Sequence, residues 1–218
     1  MHHLYRSREC NLHALGPHCP TEIHWLAPNA LQTLQQSVVE DDSIFALAFN
    51  ADGSRLAWSS ANSTIHVHQW SNLQNELSVR GHAEVVTCLQ WLNRTQRIVS
   101  GSIDKTIRLW DGQTNLHVFS EHNDWIRCIA ASPDETSLIS GCVSSNIAAW
   151  DLEAQRMIFK ISANGGSGQD EDATPLSNTV NSLVYIDESG RNFASGSRDG
   201  FVKLWDMYSN GVYLFLSF

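Results

Sequence analysis

Residues Gly81 to Asp111 read GHAEVVTCLQWLNRTQRIVSGSIDKTIRLWD, opening on Gly-His and closing on Trp-Asp. Between these ends lie three short runs, 85–91, 97–102 and 106–110, separated by the polar turns NRTQ and IDK. Apolar residues alternate within each run, the pattern of an antiparallel strand with one dry face and one wet face. The pattern returns at 122–151 and at 180–206. Trp-Asp pairs fall at 110–111, 150–151 and 205–206, so the intervals are 40 and 55 residues, the longer being one period plus an insertion. A unit repeated at this spacing buries its faces by stacking on its neighbours.

With Gly-His at the head, Trp-Asp at the tail and aligned interiors, the chain resembles the WD-repeat family over about residues 38–210. The resemblance implies an all-β fold: a β-propeller of about four blades, each a four-stranded antiparallel sheet. Family rings usually have seven blades, so this chain is expected to form an incomplete seven-bladed ring. Truncation is the first explanation; closure by a partner or second copy, and a small four-bladed ring, are the others. Blades are expected at about 38–78, 79–119, 120–161 and 179–218, within a repeat region spanning 29–218.

The family's structural tetrad maps onto His82, Ser100, Asp104 and Trp110. Its logic is that Asp accepts from the His ring while Ser links that ring to the indole N–H, leaving no buried donor unpaired. The next blade keeps His122, Ser140 and Trp150 but has Ser144 for the Asp, so a weaker blade is expected. The last keeps Ser195, Asp199 and Trp205, with Leu176 in the place of the His. The first blade is divergent: Ile44, Ala46, Leu47 and Phe49 align with Val86, Cys88, Leu89 and Trp91, while His68 stands for the motif Trp. A hydrolase triad is the other reading of His-Ser-Asp, but this Ser lies inside a strand rather than on an exposed nucleophile turn.

Outside the repeat, residues 1–28 hold five of the ten His, two Cys and three Pro without periodicity. Cys10, His13, His18 and Cys19 match no zinc spacing, and neither a metal nor a cofactor is expected. Residues 29–38 read as a strand placed to close a ring. The insertion at 162–178, SANGGSGQDEDATPLSN, is Gly/Ser-rich and acidic and reads as a solvated loop. VYLFLSF at 212–218 reads as an outer strand of the last blade.

Formal charge is −9 with no Lys/Arg-rich run, which removes the electrostatic basis for direct nucleic-acid binding. The chain has no apolar run of membrane-spanning length and no hydrophobic leader, and its five Cys are an odd number. These features suit an intracellular protein. Cys88 and Cys128, one period apart, are expected to be small buried hydrophobes.

The resemblance also indicates where partners bind: beside the first apolar residue of each blade's first strand, and just before the turn Asp. These positions are Val85 and Thr87, Trp125 and Arg127, Thr179 and Asn181, with Ile103, Val143 and Arg198. Trp125, Arg127, Asn181, Arg198, Thr87 and Ile103 are the candidate partner-binding residues. The function expected is a non-catalytic protein–protein scaffold gripping partner proteins or peptides, with no small-molecule substrate. A substrate receptor of a cullin-type ubiquitin ligase is the alternative, although Gln113, Glu153 and Tyr208 stand where its adaptor-binding Arg would be. An enzyme is a third reading without a supporting motif.

Overall fold

A computed structural model describes residues 43–71, 75–163 and 178–208, and the backbone of 211–217. The first 42 residues, with the cysteine–histidine set and the strand expected at 29–38, lie outside the described residues, as do Leu176 and most of the insertion. The described residues contain strands and no helix, so no helix is long and apolar enough to cross a membrane.

Among the described residues, sixteen strands form four sheets, each running in sequence order. The first sheet comprises β1 (Ile44–Phe49), β2 (Arg55–Ser60), β3 (Ile65–Gln69) and β4 (Asn75–Val79). The second comprises β5 (Val86–Leu92), β6 (Arg97–Ser102), β7 (Ile107–Asp111) and β8 (Thr114–Phe119). The third has β9 (Ile126–Ala131), β10 (Ser137–Cys142), β11 (Asn146–Asp151) and β12 (Arg156–Ser162). The fourth has β13 (Val180–Tyr185), β14 (Asn192–Ser197), β15 (Phe201–Asp206) and β16 (Gly211–Ser217). The tail at 211–217 thus pairs as an outer strand on β15. This is the all-β architecture of propeller blades, and every pairing is antiparallel.

Successive sheets stack through their first strands: β1 meets β5, β5 meets β9, and β9 meets β13. Three apolar layers fill the spaces between them. The first joins Ile65 and Val67 to Trp91, Ile98 and Trp110. The second joins Val99 and Leu109 to Leu138 and Trp150, and the third joins Ile139 and Ile147 to Phe193 and Trp205. The interior strands of the second and third sheets therefore bury both faces, one against the preceding sheet and one against the next.

The Ser-Gly pairs of the second strands divide two tasks. The serine is polar and bonded, while the glycine admits the next sheet. A Cβ at Gly101 would fall 2.6 Å from Ile126 and 2.7 Å from Cys88, and one at Gly141 would fall 2.6 Å from Val180. At Gly196 it would meet only Ser182, at 4.0 Å.

Each first strand begins with a bulge opposite its neighbour, at Ile44/Ala46, Val86/Cys88, Ile126/Cys128 and Val180/Ser182. Two residues then face one, and the extra side chain is re-aimed. The first sheet departs from expectation in one respect: although it aligns with Leu89, Leu47 is 65% exposed, and Ile44 and Phe49 are also exposed. Leu89 packs in the layer between the first two sheets, whereas among the described residues no sheet precedes β1.

Candidate interaction rim and its supporting relays

In a four-stranded meander, the turns between second and third strands share one end with the links between sheets. At that end, the backbone of each turn is tied to the entry of its own first strand. The N–H of Ile103 donates to the carbonyl of Val85 at 3.0 Å, that of Val143 to Trp125 at 3.0 Å, and that of Arg198 to Thr179 at 2.9 Å. The Thr179 hydroxyl also donates to the Val143 carbonyl at 3.3 Å. Trp125, Val143, Thr179 and Arg198 thus form a continuous hydrogen-bonded rim across the third and fourth sheets. Trp125 is 49% exposed on it, and Arg127, Asn181 and Arg198 are exposed as well.

Arg127 and Asn181 occupy the bulge position of their strands. Thr87 does so in the second sheet, but its hydroxyl faces the carbonyls of Ile126, at 2.6 Å, and Gly101, at 3.1 Å. It therefore fastens one sheet to the next. Ile103 is only partly exposed. The equivalent residue in the first sheet is Phe45, half exposed, which sequence reasoning passed over. Its signal was available, since Ile44 aligns with Val86 and Phe45 therefore with Thr87.

Beneath the rim, the second sheet carries a complete relay. His82 Nδ1 lies 2.8 Å from Asp104 Oδ2, and its Nε2 lies 2.7 Å from Ser100 Oγ. The Trp110 indole N–H donates to the same Oγ at 2.7 Å. Assigning the ring proton to Nδ1 lets Nε2 accept from the serine and satisfies every group. Partial burial opposes ionisation of Asp104, but hydrogen bonds from His82 and Thr106 outweigh it and hold the carboxyl well below its usual range. Ser100 is fully buried between an imidazole and an indole, so it offers no nucleophile to a substrate.

The third sheet lacks the acid. His122 Nε2 lies 2.6 Å from Ser140 Oγ, which accepts from the Trp150 indole at 2.7 Å. His122 Nδ1 is buried with no partner among the described residues. Burial, with the nearby Lys160 charge, depresses the His122 pKa to about 4.

The fourth sheet keeps the bond from Trp205 to Ser195, at 2.8 Å. Asp199 there finds a different cation: Lys203 Nζ, 2.9 Å from its Oδ2. Lys203 is 4% exposed and also donates to the Ala163 carbonyl. Burial works against the Asp199 charge, but the bonds from Ser197 and Lys203 lower its pKa nonetheless. This lysine stands at the strand position that Arg108 holds in the second sheet, not in the place of the missing histidine.

In the first sheet the relay gives way to stacked rings. Trp58 stands where the serine would be, with its ring 4.2 Å from that of His66 and 5.8 Å from that of His68. Among the described residues, no group of three or more His, Cys, Asp or Glu side chains is disposed to hold a metal.

Comparison with known proteins agrees with the repeat structure. The family model "WD domain, G-beta repeat" matches residues 73–111, 113–151 and 174–206, which take in the first three strands of each of the last three sheets. Mitochondrial division protein 1 of Eremothecium gossypii is 25% identical over 88% of this chain and 29% of its own length. The intraflagellar transport protein 122 homolog of Xenopus tropicalis is 30% identical over 55% of this chain and 10% of its own. The ribosome biogenesis protein WDR12 homolog of Anopheles gambiae is 26% identical over 82% of this chain and 44% of its own. The chain spans less than half the length of each of these relatives.

Proposed function

Since this chain belongs to the WD40 repeat family, whose repeats serve protein interaction, we propose that it is a non-catalytic scaffold capturing partner proteins or peptides on the Trp125 rim. The observation that carries the reading is a half-exposed Trp125 held on a hydrogen-bonded ledge. Trp and Arg are the side chains that dominate interface energies. Arg127 and Arg198 add two guanidinium groups suited to a carboxylate or phosphate. The partner segment is therefore apolar where it meets Trp125 and acidic beside it.

The names of the similar proteins speak of mitochondrial division, intraflagellar transport and ribosome biogenesis. They support partnership within a multi-subunit intracellular assembly and leave the process open. Trp125→Ala is expected to weaken capture of the partner by about tenfold or more, with the melting temperature shifted by less than about 2 °C. Pull-down with mass spectrometry, alongside thermal denaturation of the same variant, checks this. A destabilised variant that captures normally would make Trp125 a packing residue.

A further inference from the structure

At the end of the sheets opposite the Trp125 rim, the residue after the Trp-Asp position is an apolar cap in three sheets of the four. In the third and fourth sheets it is Leu152 and Met207, each 7% exposed and packed in the layer shared with the preceding sheet. In the first sheet, where His68-Gln69 stands for Trp-Asp, it is Trp70, edge-on to Phe49 with ring centroids 5.2 Å apart. The backbone seats all three alike. The N–H of Trp70 donates to Ser54 at 2.7 Å, that of Leu152 to Thr136 at 2.9 Å and that of Met207 to Arg191 at 2.9 Å. Each acceptor is the carbonyl just before a second strand.

The second sheet has glycine in that place. Gly112 lies at φ +54°, and a Cβ on it would meet nothing within 4 Å. Residues 112–113 alone link β7 to β8, whereas 152–155 and 207–210 make the corresponding links in the later sheets. A two-residue hairpin link opens on a positive φ, which glycine supplies. The cleft beside it, between the first and second sheets, measures about 400 Å³. The corresponding cleft between the third and fourth sheets measures about 250 Å³, and there Met207 stands in the lining where Gly112 stands here. Val67, Leu77, Trp91, Ile98 and Trp110 supply the apolar walls of the larger cleft.

We propose that the cleft between the first and second sheets is a socket for a leucine side chain supplied by an extended segment of a partner protein. The incoming side chain takes the place that Leu152 and Met207 fill from within the chain at the later junctions. Burial of its isobutyl group against the two indoles and the aliphatic walls drives entry, while a charged side chain would lose its hydration there. Gln113, exposed in the lining, offers its amide to the backbone of the segment. The socket and the Trp125 rim lie at opposite ends of the sheets, so this proposal stands or falls independently of that reading.

The test is an NMR titration of the full chain with the capped peptide Gly-Ser-Leu-Ser-Gly and its counterpart with alanine in place of leucine. The leucine peptide should bind saturably, with shifts centred on Trp91, Ile98 and Trp110, and the alanine peptide about tenfold more weakly or not at all. Grafting residues 152–155 in place of Gly112 and Gln113 supplies the cap from within. It should raise the melting temperature by about 2 °C or more and abolish peptide binding. Gln113→Trp, at an exposed position that keeps the turn, should cover the cleft and weaken binding as well. Equal binding of the two peptides, absence of saturable binding, or unchanged affinity in the folded variants would overturn the proposal. So would shifts at the same three residues that grow with protein concentration alone, since a second copy of this chain would then be the occupant.

Discussion

His122 is the residue at which the repeat pattern leaves a physical debt. It is 4% exposed, and its Nδ1 lacks the carboxylate that Asp104 supplies to His82. Its pKa is depressed to about 4, well below the roughly 6.5 of an ordinary histidine, so the folded chain resists a proton that the unfolded chain accepts. The stability contributed by the neutral ring is therefore complete above pH about 6.5 and declines as pH falls toward about 4, by roughly 3 kcal/mol in all. Urea denaturation between pH 7 and 4 should show that decline. Ser144→Asp should flatten it and add about 1–2 kcal/mol at pH 7 by accepting from Nδ1. If the variant and the parent keep the same acid dependence, His122 is not the titrating group. The missing acid was legible at Ser144, and so was the expectation of a weaker relay. The role of Lys203 was not legible: alignment sets it on Arg108, and that it takes up Asp199 in place of the missing histidine emerges only from the folded turn. Only its charge, four residues beyond the aspartate, hinted at it.

At the scale of the strand, the Ser-Gly pairs were legible as a motif, but only half their meaning was. The serine belongs to its own sheet's relay; the glycine belongs to the next sheet's first strand. Sequence periodicity describes one sheet at a time, whereas the 2.6 Å approaches at Gly101 and Gly141 arise only when sheets stack. The same limit explains Thr87, which shares a bulge position with Arg127 and Asn181 yet is consumed by the carbonyl of Ile126 across the junction. Gly141→Ala forces its methyl into Val180, and a cost of about 1–3 kcal/mol is expected from overpacking. Gly196→Ala meets nothing nearer than 4.0 Å and should be within about 0.5 kcal/mol of the parent. Paired denaturation curves measure the contrast. Equal losses at both sites would mean that a neighbour packs against the fourth sheet as well.

Among the described residues, stacking runs in one direction and leaves two unlike faces. The face that receives a preceding sheet is partly buried at Leu89 and buried at Leu183, but at Leu47 it is 65% exposed. The face that receives a following sheet is buried at Ala130, but at Val184 it is 56% exposed. These two faces are complementary for the same reason that neighbouring sheets in the chain are, because each junction repeats one geometry. Two copies can therefore meet head to tail, first sheet of one on fourth sheet of the other. The expected outcome is a mass, by light scattering, that rises above 24.3 kDa with concentration. Leu47→Glu places a charge in that junction and should return the chain to its monomeric mass without unfolding it, since the side chain is already exposed. A mass fixed at 24.3 kDa across concentration, with Leu47→Glu indistinguishable from the parent, would show that these faces do not meet.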